Sequence, residues 1–182
     1  MILSKDIDSS ISLYYGKEHF LVKTVNYLLE GLEEGEKCFY SVANSFEKRV
    51  IKFIDNDYIE SKQIEFFSMK DLIDIYKLKG TIGLKGRISS LAETLSQDGY
   101  CKCRLIAEVG HLIKDIDNEK YLNFEIELLK TLTKSNISLV CAYDVSPIFE
   151  EDYEGQPSNF KNILNKTLSN HSYILEGEKV IN

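Results

Sequence analysis

The feature that most constrains this chain is an alternation. Short apolar, β-prone runs are separated, along nearly the whole length, by segments with a helical period. Cys38 to Ala43 (Cys-Phe-Tyr-Ser-Val-Ala) is an almost continuous apolar run. Such runs suit strands of a parallel sheet covered on both faces. Ser12 to Tyr15, Gln63 to Met69, Lys102 to Glu108 and Ile137 to Tyr143 read as four more strands. Between them, His19 to Leu32 keeps Phe20, Val25, Leu28, Leu29 and Leu32 in helical register. Ser45 is placed to N-cap a helix carrying Val50, Ile51 and Ile54. Further helices are expected at about Ile88 to Gln97, Asn118 to Lys134 and Asn159 to Leu168. Tyr76 to Gly86, with Gly80, Gly83 and Gly86, reads as a loop. So does Ser146 to Ser158, which holds both prolines and a run of acids. Tyr173 to Leu175 and Lys179 to Ile181, around Glu176-Gly177-Glu178, predict a closing β-hairpin. The expected class is α/β, with a mostly parallel central sheet of about five to seven strands and helices on both faces. No repeat, low-complexity run or linker interrupts the pattern, so one domain over 1–182 is the simplest organisation.

Composition narrows the function classes. The 22 Lys and Arg against 29 Asp and Glu give a net charge of −7, a poor starting point for direct nucleic-acid binding, which needs a basic face. No segment approaches the length of an apolar membrane span, and no leader peptide is visible, so a cytoplasmic location is expected and no membrane partner. Cys38, Cys101, Cys103 and Cys141 are too sparse for a disulfide scaffold, and three fall in expected strands. They read as free, mostly buried thiols. Neither the Cys101-Lys102-Cys103 spacing nor the scattered His19, His111 and His171 composes a metal site. No metal and no cofactor is expected.

Candidate site residues follow from topology. Open α/β sheets bind ligands at the carboxyl ends of their strands. Tyr15, Glu108, Tyr143 and Asp144 stand at such ends. In the fourth strand, period-two alternation puts Arg104, Ile106 and Glu108 on one face. Two charges on a covered face need partners. In the long helix, Glu125 falls inside the apolar stripe of Tyr121, Phe124, Leu128, Leu129 and Leu132. A carboxylate there needs a cation, a hydroxyl, an amide or a ligand, and Arg104 is the obvious protein cation. The alternatives are a structural ion pair, or a helix rotated enough for Glu125 to reach solvent. His171 follows Ser169-Asn170 at an expected helix end, where capping or packing competes with a ligand role.

No catalytic signature is present. Gly-x-Ser-x-Gly, His-Glu-x-x-His and Gly-x-Gly-x-x-Gly are all missing. Where a phosphate loop would follow the first strand, the chain runs Tyr15-Gly16-Lys17-Glu18-His19. It lacks the glycines whose amides wrap a phosphate, and it adds an acid.

Taken in order, several pieces resemble the MEDS domain, a sensory domain named for methanogens, methylotrophs and the regulator of dichloromethane metabolism. They are Leu13-Tyr14-Tyr15; Gly31-Leu32-Glu33-Glu34-Gly35-Glu36-Lys37-Cys38-Phe39-Tyr40; Gly99-Tyr100; Arg104-Leu105-Ile106-Ala107-Glu108; Tyr121 with Glu125; Cys141-Ala142-Tyr143-Asp144; and His171. The Gly31 to Tyr40 segment also resembles the helix-to-strand passage of RecA/KaiC-like ATPases. The resemblance implies a RecA/KaiC-like three-layer sandwich with a degenerate phosphate loop. It also implies a non-enzymatic signal-input module for a small organic ligand, such as a methylated or hydrocarbon-derived compound. Such modules are often joined to histidine kinases or DNA-binding output domains, which makes a kinase or another regulatory protein the expected partner. A homodimer is allowed. The alternative is a ligand-free protein–protein interaction module on the same degenerate ATPase-like fold. On the ligand reading, Arg104, Glu108, Glu125, Tyr143 and Asp144 form a polar floor, with Tyr15 and His171 at its rim.

Overall fold

A computed structural model describes residues 9–110, 112, 116–146, 165–168, 174–176 and 179–181. Residues 147–158 of the loop expected at 146–158, most of the helix expected at 159–168, and His171 lie outside the described residues. The elements are β1 (Ser9–Tyr14), α1 (Gly16–Glu33), β2 (Lys37–Ser41), α2 (Asn44–Ile51), α3 (Asn56–Glu60), β3 (Ile64–Phe66), α4 (Met69–Gln97), β4 (Cys103–Glu108), α5 (Asn118–Leu132), β5 (Ile137–Asp144), β6 (Ile174–Glu176) and β7 (Lys179–Ile181). The strands form one sheet in the order β3-β2-β4-β5-β1-β6-β7. Every neighbouring pair is parallel except β6 and β7, which are antiparallel.

Two cores sandwich the sheet. Alternation along β4 sends Leu105 and Ala107 to one side and Ile106 to the other. On the first side α4 and α5 lay down Leu72, Leu84, Ile88, Phe124, Leu128 and Leu132. On the second, α1 and α2 supply Phe20, Val25, Leu28, Phe46 and Val50. The central strands are sheltered on both faces, and this is why their sequences run apolar almost without interruption.

Three local expectations change. Tyr76 to Gly86 is not a loop: it lies inside α4. The break there is confined to Gly80, whose φ of 59° and ψ of −154° only glycine adopts readily. Buried Leu72, Ile73, Leu84 and Ile88 dock the helix on both sides of the break, so packing overrides the low helix propensity of three glycines. Ser45 is not the cap of α2. It lies within that helix, which starts at Asn44 with Ala43 at the N-cap position and no side-chain cap. A short extra helix, α3, begins at Asp55, whose carboxylate accepts from the Asp57 amide.

Candidate functional site

The site residues expected to meet at one edge occupy three separate places. The first is the carboxyl edge, on the α1/α2 side. There β1, β2, β4 and β5 end side by side. The Tyr14 phenol donates to Glu108 Oε1 (3.3 Å), and the Ala43 amide donates to Glu108 Oε2 (3.2 Å). Glu108 therefore ties the ends of β1, β2 and β4 together. Asp144 closes the row. Its Oδ1 accepts from the amide (2.9 Å) and hydroxyl (2.5 Å) of Ser146. Burial first, and then the Glu108 and Asp144 carboxylates, push the Tyr14 phenol far above its ordinary range, so it stays a proton donor. Tyr15 stands beside this row and is exposed.

The passage from β1 to α1 is a single residue, Tyr15. Gly16 makes it possible with a φ of +72°, the left-handed region. Two amides at this helix start are engaged. Tyr15 N donates to His19 Nδ1 (3.2 Å), and Gly16 N donates to Ser146 Oγ (2.9 Å). Below them the Tyr14 and Phe20 rings stack at 4.5 Å. No loop remains here to wrap a phosphate, and two donors at the helix start are spent on side chains.

A cleft of about 490 Å³ opens along the same edge, toward β3 and the start of α4. Its lining is mixed: Val42, Phe66, Met69, Ile73, Leu112 and Ile116 are apolar, and Ser41, Asn44, Ser68, Lys70, Asp74 and Lys77 are polar or charged. Ala43, which also lines it, is the residue whose amide holds Glu108.

The second place lies on the opposite face of the sheet. Glu125 is 1% exposed, as its position within the apolar stripe of α5 predicts. Its partners are hydroxyls. Tyr143 donates to Oε1 (2.5 Å), Tyr121 to Oε1 (3.4 Å) and Thr167 to Oε2 (3.0 Å). Burial, and then the neighbouring charge of Glu125, raises the Tyr143 phenol well above its usual range; burial and Tyr143 do the same for Tyr121. Thr167 belongs to a helical stretch at 165–168. The cluster thus fixes that stretch to the sheet.

The third place holds Arg104, and it corrects the expected pairing with Glu125. Arg104 is the second residue of β4, at the amino end of the strand, and it faces α1. Its guanidinium bonds Glu36 (2.5 Å), Glu30 (2.6 Å) and Glu34 (2.7 Å) and lies over the Tyr27 ring at 5.3 Å. Burial alone would lower its pKa, but these carboxylates outweigh it, led by the hydrogen bonds it donates to Glu30 and Glu36, and hold it above its usual value. Gly31 lets the arginine pass. A Cβ there would stand 2.7 Å from Arg104 Cδ. The Gly31 to Lys37 segment is therefore an architectural clamp, not part of the carboxyl edge.

Several participants escaped the sequence reading. Tyr14 and Tyr15 are adjacent tyrosines, and alternation separates them only once the strand's inward face is known. Ser146 and Thr167 carry no local signal of their own. Lys37, 4% exposed, bonds Glu65 and the Lys62 carbonyl and lies 5.4 Å from the Phe39 ring.

A doubly covered parallel sheet in this strand order, with a one-residue turn where a phosphate loop would lie, defines a RecA-like core without its nucleotide cradle. Among solved structures, the fold is similar to that of an ATPase domain, with a TM-score of 0.59 and 9% identity over 93% of this chain and 69% of that one. No curated protein matches the sequence. Residues 11–154 match the family described as MEthanogen/methylotroph, DcmR Sensory domain. The chain belongs to that family, MEDS, a family of sensory domains. Among the described residues no helix is long and apolar enough to cross a membrane.

Proposed function

We propose that this chain is a non-enzymatic signal-input domain that binds a small organic ligand at the carboxyl edge of its sheet. The proposed ligand is a methylated or hydrocarbon-derived compound. The observation that carries the reading is the juxtaposition at Ala43: a polar row of Tyr14, Glu108 and Asp144 on one side, a partly apolar cleft of about 490 Å³ on the other. An apolar pocket with a few placed polar groups is the usual form of a small-molecule site. Carboxylates there favour a ligand that donates hydrogen bonds and disfavour phosphates. Binding would be passed to a histidine kinase or another regulatory protein, through the cleft wall formed by α4.

The test is a thermal-shift panel of small methylated amines, alcohols and halogenated hydrocarbons, run on wild type, Glu108→Gln and Ile73→Ala. A stabilising compound whose effect weakens in both variants supports the site. A compound that stabilises all three proteins equally places binding elsewhere. ATP turnover that depends on Lys17 would overturn the non-enzymatic reading. The second reading, a ligand-free interaction module, draws on the hydrogen bonds that already engage Glu108 and Asp144. A panel without a single stabilising compound would favour it.

A further inference from the structure

The break in α4 carries a surface whose chemistry is opposite to that of the chain as a whole. Residues 77–87 hold Lys77, Lys79, Lys85 and Arg87 and no carboxylate, in a protein of net charge −7. At the break, Leu78 and Ile82 are 82% and 85% exposed, the two most exposed large apolar side chains described. Both flank Gly80, whose backbone conformation turns the helix there. Exposed aliphatic side chains beside a strained glycine are unusual on a domain that otherwise buries its apolar residues well.

The surface continues into a groove. Between α4 and α5 lies a depression of about 630 Å³, with Ile88 and Ala92 on its α4 side and Lys85, Lys130 and Lys134 around it. The Thr81 hydroxyl, one residue past the break, donates to Glu127 Oε2 (3.3 Å), and Glu127 lines the groove. Knuckle and groove are therefore one surface. The acids facing it are Asp74, paired with Lys77 at 3.8 Å, Glu127, paired with Lys130 at 2.9 Å, and exposed Glu93. Those pairs engage two of the cations. The hydrogen bond from Lys130 first, and the charge of Lys85 with it, hold the Glu127 carboxyl below its usual range, and among the described residues no ion pair engages Lys134.

We propose that this α4/α5 surface is a docking site for an acidic, amphipathic peptide segment of a partner protein. Carboxylates of the segment meet Lys85 and Lys134, and its apolar side chains cover Leu78, Ile82 and the groove floor. The proposal rests on the signal-input reading and names its output surface. The first half of α4 contributes Met69, Ile73 and Lys77 to the ligand cleft. The second half forms the groove, and Gly80 joins the two. A change in the cleft thus reaches the docking surface through one helix with one articulation.

The experiment uses the full chain and a fluorescein-labelled twelve-residue peptide of alternating Glu and Leu, followed by anisotropy. A second peptide carries Lys in place of Glu. Double-stranded DNA and anionic vesicles of phosphatidylglycerol are run alongside. The expected result is saturable binding of the acidic peptide that weakens with added salt. Lys85→Glu with Lys134→Glu should weaken it roughly tenfold or more, and Leu78→Ser with Ile82→Ser by a similar factor. All these positions are exposed, so the variants keep their fold, checked by circular dichroism. Equal affinity for the basic peptide, tighter binding to DNA or vesicles, or unchanged affinity in both variants overturns the proposal. So does a concentration-dependent self-association that Leu78→Ser with Ile82→Ser abolishes, because the occupant is then a second copy. The Leu78→Ser/Ile82→Ser protein should still respond to any compound that stabilises wild type, which separates failure of the docking surface from failure of the ligand site.

Discussion

Replacing Gly31 with alanine sets two effects of similar size against each other, and the structure decides the sign. Gly31 lies in the last turn of α1. In a helix, alanine is favoured over glycine by about 1 kcal/mol. Here, however, the added Cβ would stand 2.7 Å from Arg104 Cδ, 2.8 Å from Cys38 Sγ and 3.0 Å from Arg104 Nε. Contacts this short force a neighbour to move. Cys38 is wholly buried in β2, with its thiol toward the Leu28 carbonyl (3.6 Å). Arg104 is held by three carboxylates and a tyrosine ring. Glu30 and Glu34 are largely exposed, so loosening them costs little. Glu36 is sheltered, and its bond to Nε is the one the methyl group strains. Overpacking of this kind costs about 1–3 kcal/mol. Set against the helix gain, the net destabilisation is about 0–2 kcal/mol, which lowers Tm by up to about 8 °C in a chain of this size. Thermal unfolding followed by circular dichroism measures it. Arg104→Ala supplies the control. In that background the clash with the arginine is gone, so Gly31→Ala should be milder by roughly 1 kcal/mol. A higher Tm for Gly31→Ala in the wild-type background, or an equal penalty in both backgrounds, would refute the clamp.

The remaining predictions concern the buried face and alkaline pH. Tyr143→Phe removes the 2.5 Å bond to Glu125 from a side chain with no exposure. It should cost about 1–3 kcal/mol in urea unfolding; a loss below about 0.5 kcal/mol would mean that Tyr121 and Thr167 hold the carboxylate without it. Burial pushes the Cys38 thiol from 9.0 up to about 12. Between those two values the unfolded chain has lost this proton and the folded chain keeps it. Stability from this group is therefore complete below about pH 9 and falls as pH rises toward 12. The slope of unfolding free energy against pH in that window should flatten in Cys38→Ala. In mildly alkaline buffer, Cys101, which is exposed, should be alkylated well before Cys38, Cys103 and Cys141, which are buried.

Much of the architecture was legible because burial writes itself into strands. Cys38 to Ser41 and Ile137 to Tyr143 read as apolar runs because helices cover both sides of them. Glu125 was legible for the same reason, since its spacing set it inside a stripe that had to face the sheet. Its partner was not. Alternation puts Arg104 on the face of Ile106 but says nothing about the side of the sheet on which a distant helix packs. With α5 on one side and Arg104 on the other, the sheet itself separates the two charges. The hydroxyls that replace arginine come from β5, from α5 and from the 165–168 stretch, and hydroxyls leave no pattern in a sequence. The Tyr76 to Gly86 run misled in the other direction. Three glycines are a local argument for a loop, whereas the helix is kept by Leu72, Ile73, Leu84 and Ile88, whose contacts are long-range.

The carboxyl edge shows how the same fold can reverse the chemistry it presents. A phosphate site at a strand-to-helix turn works by aiming several unspent backbone amides and a helix start at an anion. In this chain the turn has shrunk to Tyr15. One amide is spent on His19 and the next on Ser146. Ser146 in turn donates to Asp144, so a hydroxyl links the first amide of α1 to a carboxylate of β5. Glu108 then adds a second carboxylate at the end of β4, braced by a phenol that its surroundings keep protonated. The groups that remain at this edge accept hydrogen bonds where a nucleotide site would offer them. Loss of the glycines alone would leave a weak phosphate site; the added carboxylates turn it into an unfavourable one. This sign reversal, more than any missing motif, supports the proposal that the edge takes small hydrogen-bond donors, on a fold similar to that of an ATPase domain.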